Sequence, residues 1–189
     1  MKTFIDGELF ENLNFKTHPL KVGDYEDCTF EGCNFAKVDL MGFNFISCHF
    51  EDCDFSMTNF TETGLQDAYF QACKMLGVHF DKAREFLFAV QFRDCLLDMT
   101  SYFKCSLKDT VFENCSLKEA DFSEADLTGA RFDGCELKGT VFDRTTLKKA
   151  DFRSALNYSI DPGTNSVKKA RFSSEGLRGL LDHLDIQID

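Results

Sequence analysis

Residues 28–40 read CTFEGCNFAKVDL. A small residue (Cys28, Cys33, Val38) stands two positions before a large apolar one (Phe30, Phe35, Leu40), and the pair returns every five residues. A helix repeats at about 3.6 residues and a strand at about two, so neither produces this beat. Stepping by five from Phe30 reaches back to Phe10 and on through Phe50 to Phe80. The frame then slips by two, resumes at Leu87 and runs to Phe152. Asn157 ends it, and DKAREF (81–86) holds the two-residue insertion.

Stepping by twenty sorts like residues into columns, the sign of a repeat architecture. One column is Phe10, Phe30, Phe50, Phe70, Phe92, Phe112, Phe132 and Phe152. Another runs Phe15, Phe35, Phe55, Met75, Leu97, Leu117 and Leu137. Twenty residues therefore make one turn and five make one side. The pattern predicts an all-β, four-sided parallel β-helix in which each turn buries its neighbour. Rungs about 4.8 Å apart would give roughly seven turns and a rod of roughly 35 Å. The remaining positions of each five are mostly charged or polar and face solvent.

The coil is expected over residues 1–156, and 157–189 form a different segment. NYSIDPGTNSVKKARF (157–172) carries a Pro-Gly turn signal. Leu177, Leu180, Leu181 and Leu184 follow at helical spacing, with Ser173 or Ser174 as cap. Ile186 and Ile188 then alternate as in a short strand. This apolar helix and edge strand predict a cap over the open coil end and an end-to-end homodimer through those six residues.

The chain has 22 Phe, no Trp, nine Cys and a net charge of −11. Such a surface disfavours nucleic acid and anionic membrane and attracts basic partners. No stretch approaches the ~20 apolar residues of a membrane span, and the expected location is the cytoplasm. Every Cys falls at the small inward position, and Cys33, Cys53, Cys73, Cys95, Cys115 and Cys135 form one ladder. With no CxxC pair, they are expected as buried structural thiols rather than metal ligands. His49 and His79 precede column residues and face water. No nucleophile–base pair, Gly-rich phosphate loop or basic stripe stands out, so no catalytic residue, cofactor or metal is expected.

Residues 1–86 carry 15 acidic against seven basic residues, and residues 87–189 carry 17 against 14. Just after the Phe column stand Glu11, Glu31 and Glu51, with Asp27 and Asp52 placed near the same edge. These five are the candidate partner-binding face. Ile46, Phe86, Phe88 and Phe103 are outward apolar positions, and Phe86 and Phe88 flank the slip as a second candidate contact.

KEADFSEADLTGARF (118–132) and KKADFRSAL (148–156) resemble the A(D/N)LXX pattern of the pentapeptide-repeat family. The resemblance implies a right-handed quadrilateral β-helix. The acidic rod and the terminal SSEGLRGLLDHLDIQI segment look like the Qnr and MfpA-type quinolone-resistance proteins. That likeness implies binding of a type II topoisomerase (DNA gyrase or topoisomerase IV) as a DNA mimic, and dimerisation through C-terminal elements. Some Qnr proteins carry two long loops, whereas this chain has only the short slip. A generic protein-binding module with an unrelated basic partner is the alternative.

Overall fold

A computed structural model describes residues 3–184, 186 and 187. Its strands are β1 (Thr3–Asp6), β2 (Leu9–Glu11), β3 (Gly23–Glu26), β4 (Thr29–Glu31), β5 (Asn44–Ile46), β6 (His49–Glu51), β7 (Gly64–Gln66), β8 (Ala68–Gln71), β9 (Val90–Arg93), β10 (Val111–Glu113) and β11 (Arg131–Asp133). Every pairing is parallel. One sheet runs β1-β3-β5-β7 and the other β11-β10-β9-β8-β6-β4-β2. Phe10, Phe30, Phe50 and Phe70 face one another in register, one turn of twenty residues apart. Phe70 pairs with Phe92, so the step across the slip is 22. Isolated parallel bridges such as Asn34–Asp54 and Ser116–Glu136 carry the same register around the other sides.

Local chemistry makes the corners. The residue two after a column residue takes a positive φ: Asn12 +52°, Asp27 +49°, Gly32 +61°, Asp52 +54°. Asn, Asp and Gly tolerate this region best. Just before the column residue, a short acceptor closes an Asx turn. Asn34 Oδ1 takes the Ala36 N–H at 2.9 Å, and Asp54 Oδ1 takes the Ser56 N–H at 2.8 Å. The Asp/Asn of the repeat is therefore a backbone clamp.

Inside, the Phe column stacks ring on ring. Centroids are 4.9 Å apart for Phe30–Phe50, 4.8 Å for Phe50–Phe70 and 4.7 Å for Phe132–Phe152. Rings of neighbouring columns meet edge-on, as Phe50 does with Phe55. The small inward residues also donate. Thr63 Oγ1 reaches the Leu40 carbonyl at 2.7 Å and Cys53 Sγ the Phe30 carbonyl at 3.3 Å, each on the turn below. Cys and Thr suit this position because they fit and satisfy a buried acceptor.

The slip departs from the expected frame. Glu85, Phe86 and Leu87 bulge outward, and the first sheet ends at β7. Arg84 N–H still bonds the Thr63 carbonyl and Ala89 N–H the Leu65 carbonyl, each at 2.9 Å. Leu87, expected as an inward residue, sits at φ +58° and is 60% exposed. Phe88 turns inward instead, partly buried, with its ring edge-on to Phe80 at 6.4 Å. Two extra residues must loop out, and turning the larger ring inward buries more apolar surface.

The coil continues beyond Asn157. Thr146–Ser166 and Asp151–Arg171 are further bridges, and Phe172 stacks on Phe152 at 5.5 Å. The C-terminal helix is then not an α-helix: Glu175–Leu180 and Asp182–Leu184 are 3-10 turns. Ser174 stands at the N-cap and makes no side-chain cap bond; Ser173, one residue earlier, accepts the Gly176 N–H on its Oγ at 3.1 Å. Gly176 and Gly179 lie so close to Tyr158 that a Cβ on either would collide with it. Ile186 is exposed and outside any strand, and Ile188 lies outside the described residues.

Candidate partner-binding surface

Strand pairing fixes the acidic ladder. Glu11 is in register with Glu31, and Glu31 with Glu51. Like charges directly opposite on adjacent rungs repel, so this row carries an electrostatic cost. Glu51 is the best supported, with Gln71 Nε2 at 3.4 Å and His49 Nε2 at 4.0 Å. Among the described residues, Glu11 and Glu31 have no ion-pair partner. The row then changes character. Gln71 and Arg93 follow, Arg93 lies 3.7 Å from Glu113, and Asp133 pairs with Arg131. Within this row, the carboxylates without an ion pair among the described residues, Glu11 and Glu31, both lie on the N-terminal turns.

Asp27 and Asp52 flank the ladder from opposite corners, not from one edge. Asp27 N–H bonds the Ile46 carbonyl at the corner entering the Glu side, and Asp52 N–H bonds the Gln71 carbonyl at the corner leaving it. Both are exposed. The arrangement is a strip of carboxylates one side wide.

The other expected contacts are separated. Phe86 is 70% exposed on the bulge, whereas Phe88 is folded under it. Phe103 is half-exposed under the Lys104 ammonium, 4.8 Å from the ring centre, and Ile46 is half-buried. In the C-terminal segment Leu180 packs against the core, while Leu177, Leu181, Leu184 and Ile186 are exposed.

All nine cysteines are free thiols; eight are buried and Cys105 is partly so. Burial pushes the thiols of Cys48 and Cys105 up to about 12, away from the reactive thiolate. Among the described residues no group of His, Cys, Asp and Glu is arranged to hold a metal ion, and no helix is long and apolar enough to cross a membrane.

Four-sided turns stacked in parallel register, with a stacked aromatic interior, define a parallel β-solenoid. The sequence model of the pentapeptide repeat region matches residues 23–85, 85–159 and 105–174, and the chain belongs to the pentapeptide-repeat family. Compared by sequence alone with curated proteins, it finds no significant match. Among solved structures it is similar to a trypsin-treated QnrB1, a plasmid-mediated fluoroquinolone resistance protein. The TM-score is 0.55 at 21% identity, over 99% of this chain and 92% of that one. At this identity the likeness is one of fold. HetL, a pentapeptide repeat protein involved in heterocyst differentiation regulation in the cyanobacterium Nostoc, aligns at a TM-score of 0.39 with 13% identity, over 91% and 88% of the two chains.

Proposed function

We propose that this chain is a non-enzymatic binding protein that occupies the DNA-binding surface of a type II topoisomerase, DNA gyrase or topoisomerase IV, the function that its resemblance to the quinolone-resistance proteins implies. The carrying observation is the in-register Glu11–Glu31–Glu51 row, with Glu11 and Glu31 exposed and unpaired among the described residues and Glu51 half-buried. A basic DNA channel attracts regularly spaced anions, and carboxylates on successive rungs stand in for phosphates. The flanking Asp27 and Asp52 widen the strip. Such a partner places the protein in the cytoplasm. The C-terminal Leu177, Leu181, Leu184 and Ile186 supply the apolar surface for an end-to-end homodimer.

The test is gyrase supercoiling with purified protein, with and without a quinolone. Inhibition, or protection from the drug, at micromolar protein supports this function. A generic module for another basic protein has its own support, because Gln71 and Arg93 interrupt the acidic row after three rungs. Absence of any effect on gyrase leaves that second function standing.

A further inference from the structure

The side that carries β1, β3, β5 and β7 is polarised along its length. Asp6 is in register with Glu26, Glu26 with Ile46, and Ile46 with Gln66. Above the bulge the same side continues through the bridges Ser106–Asp126, Asp126–Thr146 and Thr146–Ser166. Its upper end holds Lys148, Lys149, Lys168 and Lys169, all exposed. Lys149 N–H bonds the Lys168 carbonyl at 3.0 Å, so the two pairs stand on adjacent rungs. Among the described residues none of the four has an ion-pair partner. Four unpaired cations in a block are unusual on a chain of net charge −11, and their mutual repulsion is unrelieved. Midway between the two ends sits the bulge, with Phe86 and Leu87 exposed by 70% and 60%.

We propose that this side binds a second copy of the chain, antiparallel, about a two-fold axis through Phe86 and Leu87. The register decides it. Counted in rungs from the bulge, Glu26 and Asp27 lie as far below as Lys148 and Lys149 lie above, and Asp6 as far below as Lys168 lies above. An axis across the face keeps each column opposite itself, so Glu26 meets Lys148, Asp27 meets Lys149 and Asp6 meets Lys168, twice over. Uncharged Ile46 meets Thr128. Phe86 and Leu87 meet their own copies and form the apolar centre that charged pairs alone lack. Asp67 against Asp109 is the one like-charge meeting among these rungs, with Lys108 beside it. A parallel pair would set lysines on lysines. The Glu11–Glu31–Glu51 row lies on the adjacent side and stays free; Asp27, at the corner between the two sides, belongs to both surfaces, and the test of self-association needs no topoisomerase.

The test is charge-swap complementation in the full chain, read by sedimentation velocity. Glu26→Lys/Asp27→Lys and Lys148→Glu/Lys149→Glu should each weaken self-association about tenfold or more. An equimolar mixture should restore it, because only the heterodimer has opposite charges at both ends. The corners tolerate the swaps, since Lys149 and Glu62 already sit at φ +60° and +56°. Phe86→Cys, on the axis, should cross-link to its own copy under oxidation. Self-association equal to the parent in both swap variants would assign any dimer to the C-terminal segment and overturn the proposal. Failure of the mixture to recover would overturn it too. So would a monomeric parent whose lysine block binds heparin, which would make that block a polyanion site.

Discussion

Phe112 lies flat on Phe132, with ring centroids 5.0 Å apart and planes 3° from parallel. Below it, Phe92 stacks at 5.3 Å, and Tyr102 and Phe122 close the sides edge-on. The ring is fully buried and walled by other rings held at fixed backbone register. Such a site cannot collapse. Phe112→Ala should cost about 3–5 kcal/mol in chemical denaturation, and Phe50→Ala about the same. A loss under about 1 kcal/mol would show that the column relaxes.

The inward hydroxyls are expected to matter for their donor and not only for their size. Thr63 is buried and its Oγ1 donates to the Leu40 carbonyl at 2.7 Å. Thr63→Val keeps the shape and removes the donor, leaving that carbonyl with the Phe43 N–H alone, at 3.1 Å. The expected loss is about 1–2 kcal/mol. A neutral substitution would mean the bond contributes nothing net.

The regular part of this fold is legible from sequence because one rule governs it. Column residues, small inward residues and corner residues each face a single environment, so their identities repeat. Breaks in the rule are harder to read. At the slip the frame points Leu87 inward, but the extra two residues let Phe88 take that role. Leu177, Leu180, Leu181 and Leu184 suit an α-helix by spacing, yet the chain forms 3-10 turns. Gly176 and Gly179 weaken the helix and bring the backbone hard against Tyr158. The acidic row was visible in the Phe-column frame. The lysine block was missed because Lys148–Lys149 and Lys168–Lys169 are twenty residues apart, and no linear basic stripe announces them. The same twenty-residue step that sorted the phenylalanines brings them together.

Ellman's reagent should label almost no thiol in the native protein and all nine after denaturation. Eight are buried, and Cys48 and Cys105 are held near 12 by burial. Cys105, the partly exposed one, should react first and slowly. Several fast native thiols would contradict the packing described above.

Asp151 sets an acid limit on stability. Its carboxylate takes Arg153 Nη2 at 2.7 Å and lies 3.3 Å from Arg171 Nη1. Hydrogen bonding from Arg153, then burial acting the other way, leaves its pKa below the ordinary Asp value. A carboxyl lowered on folding stabilises the protein above its unfolded pKa, about 3.9. That contribution falls away as pH drops through the lower folded value. Asp151→Asn should therefore melt below the parent at neutral pH, and the gap should close in strong acid. A gap independent of pH would assign the effect to packing.

The acidic row yields the functional prediction. Glu31, Glu51 and Asp52 project outward from β4, β6 and the corner after β6, and none of them contributes to the core. Reversing all three to Lys leaves the fold intact, since Lys37 and Lys104 already occupy equivalent corners at φ +60° and +61°. If the row takes the place of phosphates, the triple variant should bind a topoisomerase several-fold more weakly than the parent. Binding of the parent should itself fall steeply as salt rises, because added ions screen exposed charge. The variant should show a shallower salt dependence, having fewer attractive pairs to screen. Gyrase supercoiling titrated at two salt concentrations, parent against variant, measures both. Equal inhibition by the two proteins would remove the row from the interface. A parent that neither inhibits gyrase nor protects it from a quinolone at micromolar concentration would end the DNA-mimic function for this chain.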